Sequence, residues 1–160
     1  MRGIMTTEEN KVLCDKYPWL VPRNRFTGEI SKTFNYRHTE LDNMEPGWRK
    51  AFGEQFCEDM QNAINNLPDG IRNEFRLLDI KEKYASLRVY VNISDDGIAD
   101  VINKYEKMSK YVCGKCGKPA TKITTSWFYP FCDECLKESG TVNYIDIKEF
   151  YKEIETDEES

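Results

Sequence analysis

The sequence predicts an α+β fold, with a helix–β-hairpin–helix core and an appended cysteine-containing ribbon. Three observations support it: helical apolar spacing over residues 46–67, alternating apolar spacing over 74–92, and two CxxC pairs near the C-terminal end. Helices and strands in separate runs, rather than in regular alternation, are typical of this class. We expect an α+β core with an N-terminal strap over 1–110, the ribbon over 111–138, and a C-terminal strand or helix with an acidic tail over 139–160.

The clearest helix is predicted over residues 46–67. Pro46 suits a first helical turn, and Pro68-Asp69-Gly70 ends the pattern. Apolar side chains recur at four-residue intervals and form one wide stripe, which we expect to be buried. The stripe comprises Trp48, Ala51, Phe52, Phe56, Met60, Ala63, Ile64 and Leu67.

A hairpin and a second helix are predicted next. The alternation over 74–92 indicates two strands that turn around Lys83-Tyr84-Ala85-Ser86, although Leu78 beside Leu77 interrupts the first strand. Ser94-Asp95-Asp96 then offers capping side chains for a helix that runs to about residue 110. Its predicted apolar face is Ile98, Val101, Ile102, Tyr105 and Met108.

Four cysteines form the most specific motif in the chain. Cys113 and Cys116 lie in C-G-K-C, Cys132 and Cys135 lie in C-D-E-C, and fifteen residues separate the two pairs. This spacing is typical of one structural zinc ion, because each tight turn aims two thiolates at the metal. A disulfide is the competing interpretation. The N-terminus lacks the apolar core of a secretory signal, so we expect a cytoplasmic protein with reduced thiols.

The residues between the cysteine pairs are rich in β-formers, so we expect a zinc-ribbon hairpin with Trp127 and Phe131 covering the metal. Four thiolates would fill a tetrahedral zinc shell and leave no position for a catalytic water. The single histidine, His38, lies in a polar stretch, and Cys14 and Cys57 lie beside apolar residues. No catalytic motif accompanies them, so we expect a protein that is not an enzyme.

The charge of −5 is unevenly distributed. Residues 1–110 carry 17 basic and 18 acidic side chains, residues 111–138 carry 4 and 3, and residues 139–160 carry 2 and 7. The acidity therefore belongs to the C-terminal segment, and the rest of the chain is near neutral. A near-neutral body lacks the long-range attraction to phosphates that nucleic-acid binders use. Apolar runs are too short to cross a membrane.

The strap, residues 17–28, combines two prolines, a glycine, aromatic residues and arginines. It either crosses the core, with Trp19, Leu20 and Phe26 buried, or presents a recognition loop. Aromatic and arginine side chains are frequent anchors at protein interfaces. The candidate partner-binding residues are Trp19, Arg23, Asn24, Arg25 and Trp127.

Three segments carry a resemblance to a known group: YPWLVPRNRFTGE at 17–29, ELDNMEPGWRKAFGEQFCEDM at 40–60 and DIKEKYASLRVY at 79–90, followed by CGKCGKPATK. Together they resemble small, mostly uncharacterised proteins encoded by bacteriophages and prophages. The resemblance implies a phage accessory protein that acts in a bacterial cytoplasm, but it implies no activity or catalytic residue.

The functional hypothesis is a zinc-stabilised protein that binds a host protein, such as a component of a defence system, without catalysis. One alternative is nucleic-acid binding through basic side chains with aromatic stacking by Trp127, Phe128 or Tyr129. A less favoured alternative is capture of a small nucleotide signal by Arg23, Arg25 and Arg88. The basic residues of the nucleic-acid alternative are Arg23, Arg25, Arg37, Lys115, Lys118 and Lys122.

Overall fold

The computed structural model describes residues 6–24 and 26–152 and shows a mixed protein of helices and small antiparallel sheets, which confirms the α+β class. Arg25 and the last eight residues of the acidic tail lie outside the described residues. Within the described part, no helix is long and apolar enough to cross a membrane.

The helices are α1 (Thr7–Lys16), α2 (Pro46–Trp48), α3 (Glu54–Asn65), α4 (Asp69–Arg72), α5 (Asp96–Ser109) and α6 (Asp133–Ser139). The strands are β1 (Leu77–Lys83), β2 (Ser86–Val91), β3 (Lys122–Thr124), β4 (Pro130–Phe131) and β5 (Tyr144–Asp146).

Helices α2 and α3 form one continuous rod, because the π-helical segment Arg49–Gly53 joins them with right-handed helical dihedrals at both junctions. Pro46 begins the rod, as expected from its fixed φ angle. The rod ends at Asn65, two residues before the predicted end. Its apolar stripe is buried except for Ala51, which is exposed, and the rings of Phe52 and Phe56 contact Tyr105 of α5, with centroids 5.4 and 5.5 Å apart.

Strands β1 and β2 form an antiparallel hairpin whose turn is Tyr84-Ala85, both with positive φ angles. The register shifts at Leu78, where the sequence alternation is interrupted. Helix α5 covers the free edge of β2: Leu87 N donates to Ser109 Oγ (2.8 Å), and Val89 N donates to Glu106 Oε2 (3.1 Å). These bonds fix α5 to the hairpin and satisfy backbone groups of an otherwise open edge.

The second sheet has the strand order β4-β3-β5. Residues 144–146 pair with β3, so the strand that follows residue 138 joins the ribbon sheet. Residues 147–152 are helical and carry Ile147 and Tyr151 into a small core. This core also contains Ala85 from the hairpin turn, and it therefore joins the ribbon to the body.

The strap divides between the core and the surface. Tyr17, Trp19 and Leu20 are buried, and the Trp19 ring makes edge contacts with Phe56 and Phe75. Phe26 is 91% exposed, so the expectation that it is buried is wrong. The polypeptide turns back at this point through an isolated bridge between Arg23 and Ile30, which places the Phe26 ring at the outer end of the loop.

Candidate metal centre and neighbouring surface

The four cysteines of the ribbon converge on one point. Their Sγ atoms all lie within 4.8 Å of one another, and the Cys116 and Cys132 Sγ atoms are 3.6 Å apart. Tetrahedral zinc with Zn–S bonds of about 2.3 Å requires Sγ atoms about 3.8 Å apart. Cys113 and Cys132 are buried, and Cys116 and Cys135 are half-buried. The geometry therefore allows the four cysteines to hold one metal ion.

Each cysteine pair is placed by a local backbone feature. In the first pair, Gly117 N donates to Cys113 O (3.0 Å), and the φ angle of +86° at Gly117 closes the turn. In the second pair, Cys132 caps α6, with its Sγ accepting from Cys135 N at 3.4 Å. A thiolate at a helix N-terminus is favoured by the unpaired N–H groups there.

The surroundings of the thiols differ in their effect on pKa. Burial raises the pKa of Cys132 and Cys135. At Cys116, hydrogen bonds from the Lys118 backbone and the neighbouring thiols outweigh the effect of burial and lower the pKa. A metal cation favours the thiolate form at every ligand, so metal binding releases the protons that Cys132 and Cys135 carry beforehand.

The first cysteine turn docks directly on the N-terminus of the long helical rod. Gly47 N donates to Gly114 O (2.7 Å), and Trp48 Nε1 donates to Val112 O (2.9 Å). A Cβ atom on Gly47 would overlap Cys113 O and lie 2.6 Å from Gly117 N. The backbones of the rod and of the metal turn are therefore in contact, and only glycine fits at position 47.

Of the residues predicted to cover the metal, Phe131 does so and Trp127 does not. Phe131 packs in one cluster with Cys113, Cys132 and Leu136. Trp127 is 73% exposed and lies in the loop between β3 and β4. The expectation that Trp127 shields the metal site is therefore wrong, because its ring lies mostly in solvent and does not join the cluster that Phe131 and Leu136 form with the cysteines.

Trp127 instead precedes Phe128 in the chain, and we define the aromatic surface as these two residues together with Tyr84, whose ring contacts that of Phe128. Tyr84 is 64% exposed, and Phe128 is 36% exposed. The Phe128 ring contacts Tyr84 of the hairpin turn and Phe150 of the C-terminal helical segment, with centroids 6.3 and 5.4 Å apart. Three separate segments thus meet at this surface, which the sequence could not have indicated.

The strap residues proposed for partner binding have different environments. Trp19 is buried and donates from Nε1 to Gln61 Oε1 (2.9 Å), so it is a core residue and not a surface contact. Arg23 Nη1 donates to Gly28 O (3.0 Å), and Asn24 Oδ1 accepts from Phe26 N and Thr27 N. Arg23 and Asn24 are exposed, but these bonds shape their own loop. They line a cavity different from those lined by Trp127.

The basic side chains of the ribbon lie close to acidic ones. Lys118 Nζ is 3.1 Å from Glu134 Oε2, and Lys122 Nζ lies within 4 Å of both Asp133 and Asp146. Paired in this way, these lysines offer less net charge to a phosphate backbone than the sequence alone suggested. Arg88 Nη1 lies 3.9 Å from Glu106 Oε1, and Arg23 Nη1 donates to the backbone of its own loop.

The cysteines outside the ribbon are poor nucleophiles. Burial raises the pKa of Cys14 to about 11 and that of Cys57 to about 12. Both thiols stay protonated at neutral pH, and the thiolate is the reactive form. His38 is exposed.

Two cavities were not evident from the sequence. One, of about 900 Å³, lies along the π-helical segment beside Cys116 and is lined by charged side chains of both signs: Glu9, Lys16, Arg49, Lys50, Glu54, Glu58 and Lys115. The other, of about 460 Å³, is lined by Trp127 together with Glu45, Asp79, Glu82 and Tyr129. Tyr129 Oη donates to Glu45 Oε2 at 2.7 Å across 84 residues of sequence, and no local pattern encodes such a contact.

Comparison with known proteins finds no match for this chain among family models, curated proteins or solved structures.

Proposed function

We propose that this chain is a zinc-stabilised protein that binds a bacterial host protein through its aromatic surface and does no catalysis. The single observation that carries the proposal is the exposure of Trp127 on a loop held by the metal ribbon. Large aromatic side chains are costly to leave in water and are enriched at binding hot spots. The resemblance to phage-encoded proteins supports a host protein as the partner and the bacterial cytoplasm as the location.

The donor set supports zinc as the metal. Four thiolates at tetrahedral spacing suit a soft or borderline cation. A four-cysteine shell has no open position, so the ion would stabilise the ribbon and would not activate water. Because the metal turn contacts the rod at Gly47, the ion also fixes the orientation of the aromatic surface relative to the body.

The proposal is tested by affinity capture from bacterial lysate with the zinc-loaded full chain immobilised. The test variant is Trp127→Ala, and the matched control is Phe26→Ala, which removes another highly exposed aromatic ring from the strap loop. Substitutions at such exposed positions change stability by about 0.5 kcal/mol or less, so both variants remain folded.

We expect Trp127→Ala to lose the specifically captured protein and Phe26→Ala to retain it. If capture were lost with Phe26→Ala alone, the binding surface would lie on the strap loop instead. Capture that is unchanged by either variant, or no specific capture, would refute the proposal. Gel-shift assays at low salt test the nucleic-acid alternative, and we expect the chain not to bind nucleic acid in them.

A further inference from the structure

The larger cavity, which we call the rod cavity, lies where three segments of the chain meet. Helix α1 contributes Leu13 and Tyr17, the helical rod contributes its π-helical segment, and the first cysteine turn contributes Lys115 and Cys116. The volume of about 900 Å³ is within the roughly 300–1,000 Å³ of sites that hold small molecules. The aromatic surface does not line this cavity, so a ligand here would use a separate part of the molecule.

The lining of the rod cavity divides into buried apolar side chains and exposed charged ones. Leu13, Leu41 and Phe52 are buried, and Gly53 beside them has no side chain to fill the space. The exposed charged members are Glu9, Lys16, Lys50, Glu54, Glu58 and Lys115. A ligand in the cavity would therefore meet an apolar surface at the bottom and charged groups around the opening.

Tyr17 brings an unsatisfied polar group into this cavity. The residue is only 4% exposed, and its Oη forms no hydrogen bond within residues 6–24 and 26–152. The unpaired side-chain atoms of the described residues that are sealed from solvent are Asn10 Oδ1, Arg72 Nε and Tyr151 Oη. Tyr17 Oη is not one of them, so it is open to the cavity that Tyr17 lines. Buried tyrosine hydroxyls usually have a hydrogen-bond partner, and a bound ligand would supply one.

The six exposed charged side chains of the rod cavity are not paired with one another. None of them forms an ion pair in the part of the chain that the structure describes. Arg49 also lines the cavity, but its Nη1 lies 3.3 Å from Asp42 Oδ1. With that pair set aside, the lining carries three lysines and three glutamates. Equal numbers of both charges favour a ligand that carries both signs over a simple anion or cation.

We propose that the rod cavity binds a short peptide with free ends. The ammonium end pairs with glutamates and the carboxylate end with lysines around the opening. An apolar side chain of the peptide packs on the buried Leu41 and Phe52, and a peptide carbonyl accepts a hydrogen bond from Tyr17 Oη. This inference does not depend on the proposed function, because it concerns a different part of the molecule.

The test is an NMR titration of the ¹⁵N-labelled, zinc-loaded full chain with the tripeptide Gly-Leu-Gly. The comparison ligand is the same tripeptide with its ends acetylated and amidated, which removes both charges. We expect the free tripeptide to shift the amide signals of Gly53 and Cys116 and to leave that of Gly140, which lies outside the cavity at the end of α6. The blocked tripeptide should bind at least about tenfold more weakly, because each blocked end removes a charge-assisted contact.

Tyr17→Phe removes the hydroxyl and keeps the ring. Because Tyr17 Oη has no partner in the described protein, we expect Tm to be unchanged and the affinity for the free tripeptide to fall by about two- to tenfold, the equivalent of one hydrogen bond. The matched control is Tyr144→Phe, which removes the hydroxyl of an exposed tyrosine on β5 outside the cavity. This control should bind the tripeptide like the wild type.

Four results would overturn the inference: no shift at Gly53 and Cys116 with millimolar free tripeptide, equal binding of the blocked tripeptide, full affinity of Tyr17→Phe, or a lowered Tm in that variant. A lowered Tm would show that the hydroxyl already has a partner in the protein. A simultaneous shift of Gly140 would count against it too, because it would indicate removal of the metal by the tripeptide. Capture from lysate that fails or succeeds through Trp127 leaves each of these results unchanged, so the two proposals are tested separately.

Discussion

The contact between the metal turn and the helical rod can be tested by replacing Gly47 with alanine. The added Cβ would overlap Cys113 O and lie 2.6 Å from Gly117 N and 2.7 Å from the Gly114 carbonyl carbon. These are backbone atoms of a turn whose shape is set by two metal ligands, so they cannot move aside as a flexible side chain would. The ribbon must shift away from the rod.

The expected cost follows from two contributions. Overpacking at a close contact costs about 1–3 kcal/mol, and loss of the Gly47 N–Gly114 O hydrogen bond costs about 0.5–1.5 kcal/mol. Together they predict a loss of about 2–4 kcal/mol, a large part of the roughly 5–15 kcal/mol that stabilises a typical domain. In a chain of this length each kcal/mol lowers Tm by about 2–4 °C, so Gly47→Ala should lower Tm by about 5–15 °C.

The assay is thermal unfolding of the zinc-loaded protein, followed by circular dichroism, with zinc content measured for each variant. Gly70→Ala is the matched control, because Gly70 lies in α4 with no atom within 4 Å of the added Cβ. We expect it to leave Tm unchanged or raise it by about 1–3 °C, since alanine favours helix. A Gly47→Ala variant as stable as Gly70→Ala, with full zinc content, would show that the rod and the metal turn are not in firm contact.

Three further predictions concern metal and pH. Chelation of the metal should remove hydrogen-exchange protection from residues 111–138 before it affects α3 and α5, because those helices have a separate core. Simultaneous loss of protection in the ribbon and in both helices would contradict this. Glu82→Gln should raise Tm at neutral pH, because the raised pKa of Glu82 means that its ionised form destabilises the fold. As pH falls towards the ordinary range of a carboxyl group, the wild type becomes protonated at Glu82 and gains stability, so the difference in Tm should shrink. A difference in Tm that stays constant with pH in thermal scans would refute this. Asp59 should behave oppositely: the hydrogen bond from Tyr105 lowers its pKa, so its contribution is present above the ordinary carboxyl pKa and is lost as pH falls through the lowered value. Asp59→Asn should therefore destabilise at neutral pH, with a difference that narrows in acid, and urea titrations at several pH values would measure it.

Local sequence signals predicted the elements whose cause is local. The four-residue apolar repeat after Pro46 corresponds to the helical rod, and the capping prediction at Asp95 corresponds to the bond that its side chain accepts from Ile98 N. The ambiguity at Leu78 corresponds to the register shift in β1. The spacing of the cysteines was sufficient to predict that their Sγ atoms converge. The first three features depend on residues close to one another in sequence, and the fourth depends on a cysteine spacing that is typical of a shared metal ion.

Features that depend on distant segments were missed or misplaced. The π-helical segment is not evident in the apolar pattern, because Trp48, Phe52 and Phe56 keep their four-residue spacing in the sequence and all three are buried. Trp127 was expected to cover the metal because an apolar ring near cysteines is usually buried, but its ring is exposed, and no local signal distinguishes it from the buried Phe131. The pairing of β5 with β3 and the Tyr129–Glu45 bond both need the tertiary fold, since no short-range signal links residues so far apart.

The metal site and the aromatic surface are connected through the backbone of the ribbon, even though the ion contacts no partner protein in our proposal. The β3–β4 loop starts and ends on strands of the ribbon, the ribbon is closed by the cysteines, and the first cysteine turn contacts Gly47. Glu45, two residues before that glycine, accepts a hydrogen bond from Tyr129 Oη of the same loop as Trp127. Loss of the metal should therefore separate Trp127 and Tyr129 from the body, and Trp127-dependent capture from lysate should be lost together with ribbon protection. Capture that survives complete metal removal would mean that packing of Ala85 against Ile123 and Ile147, rather than the ion, holds the ribbon in place.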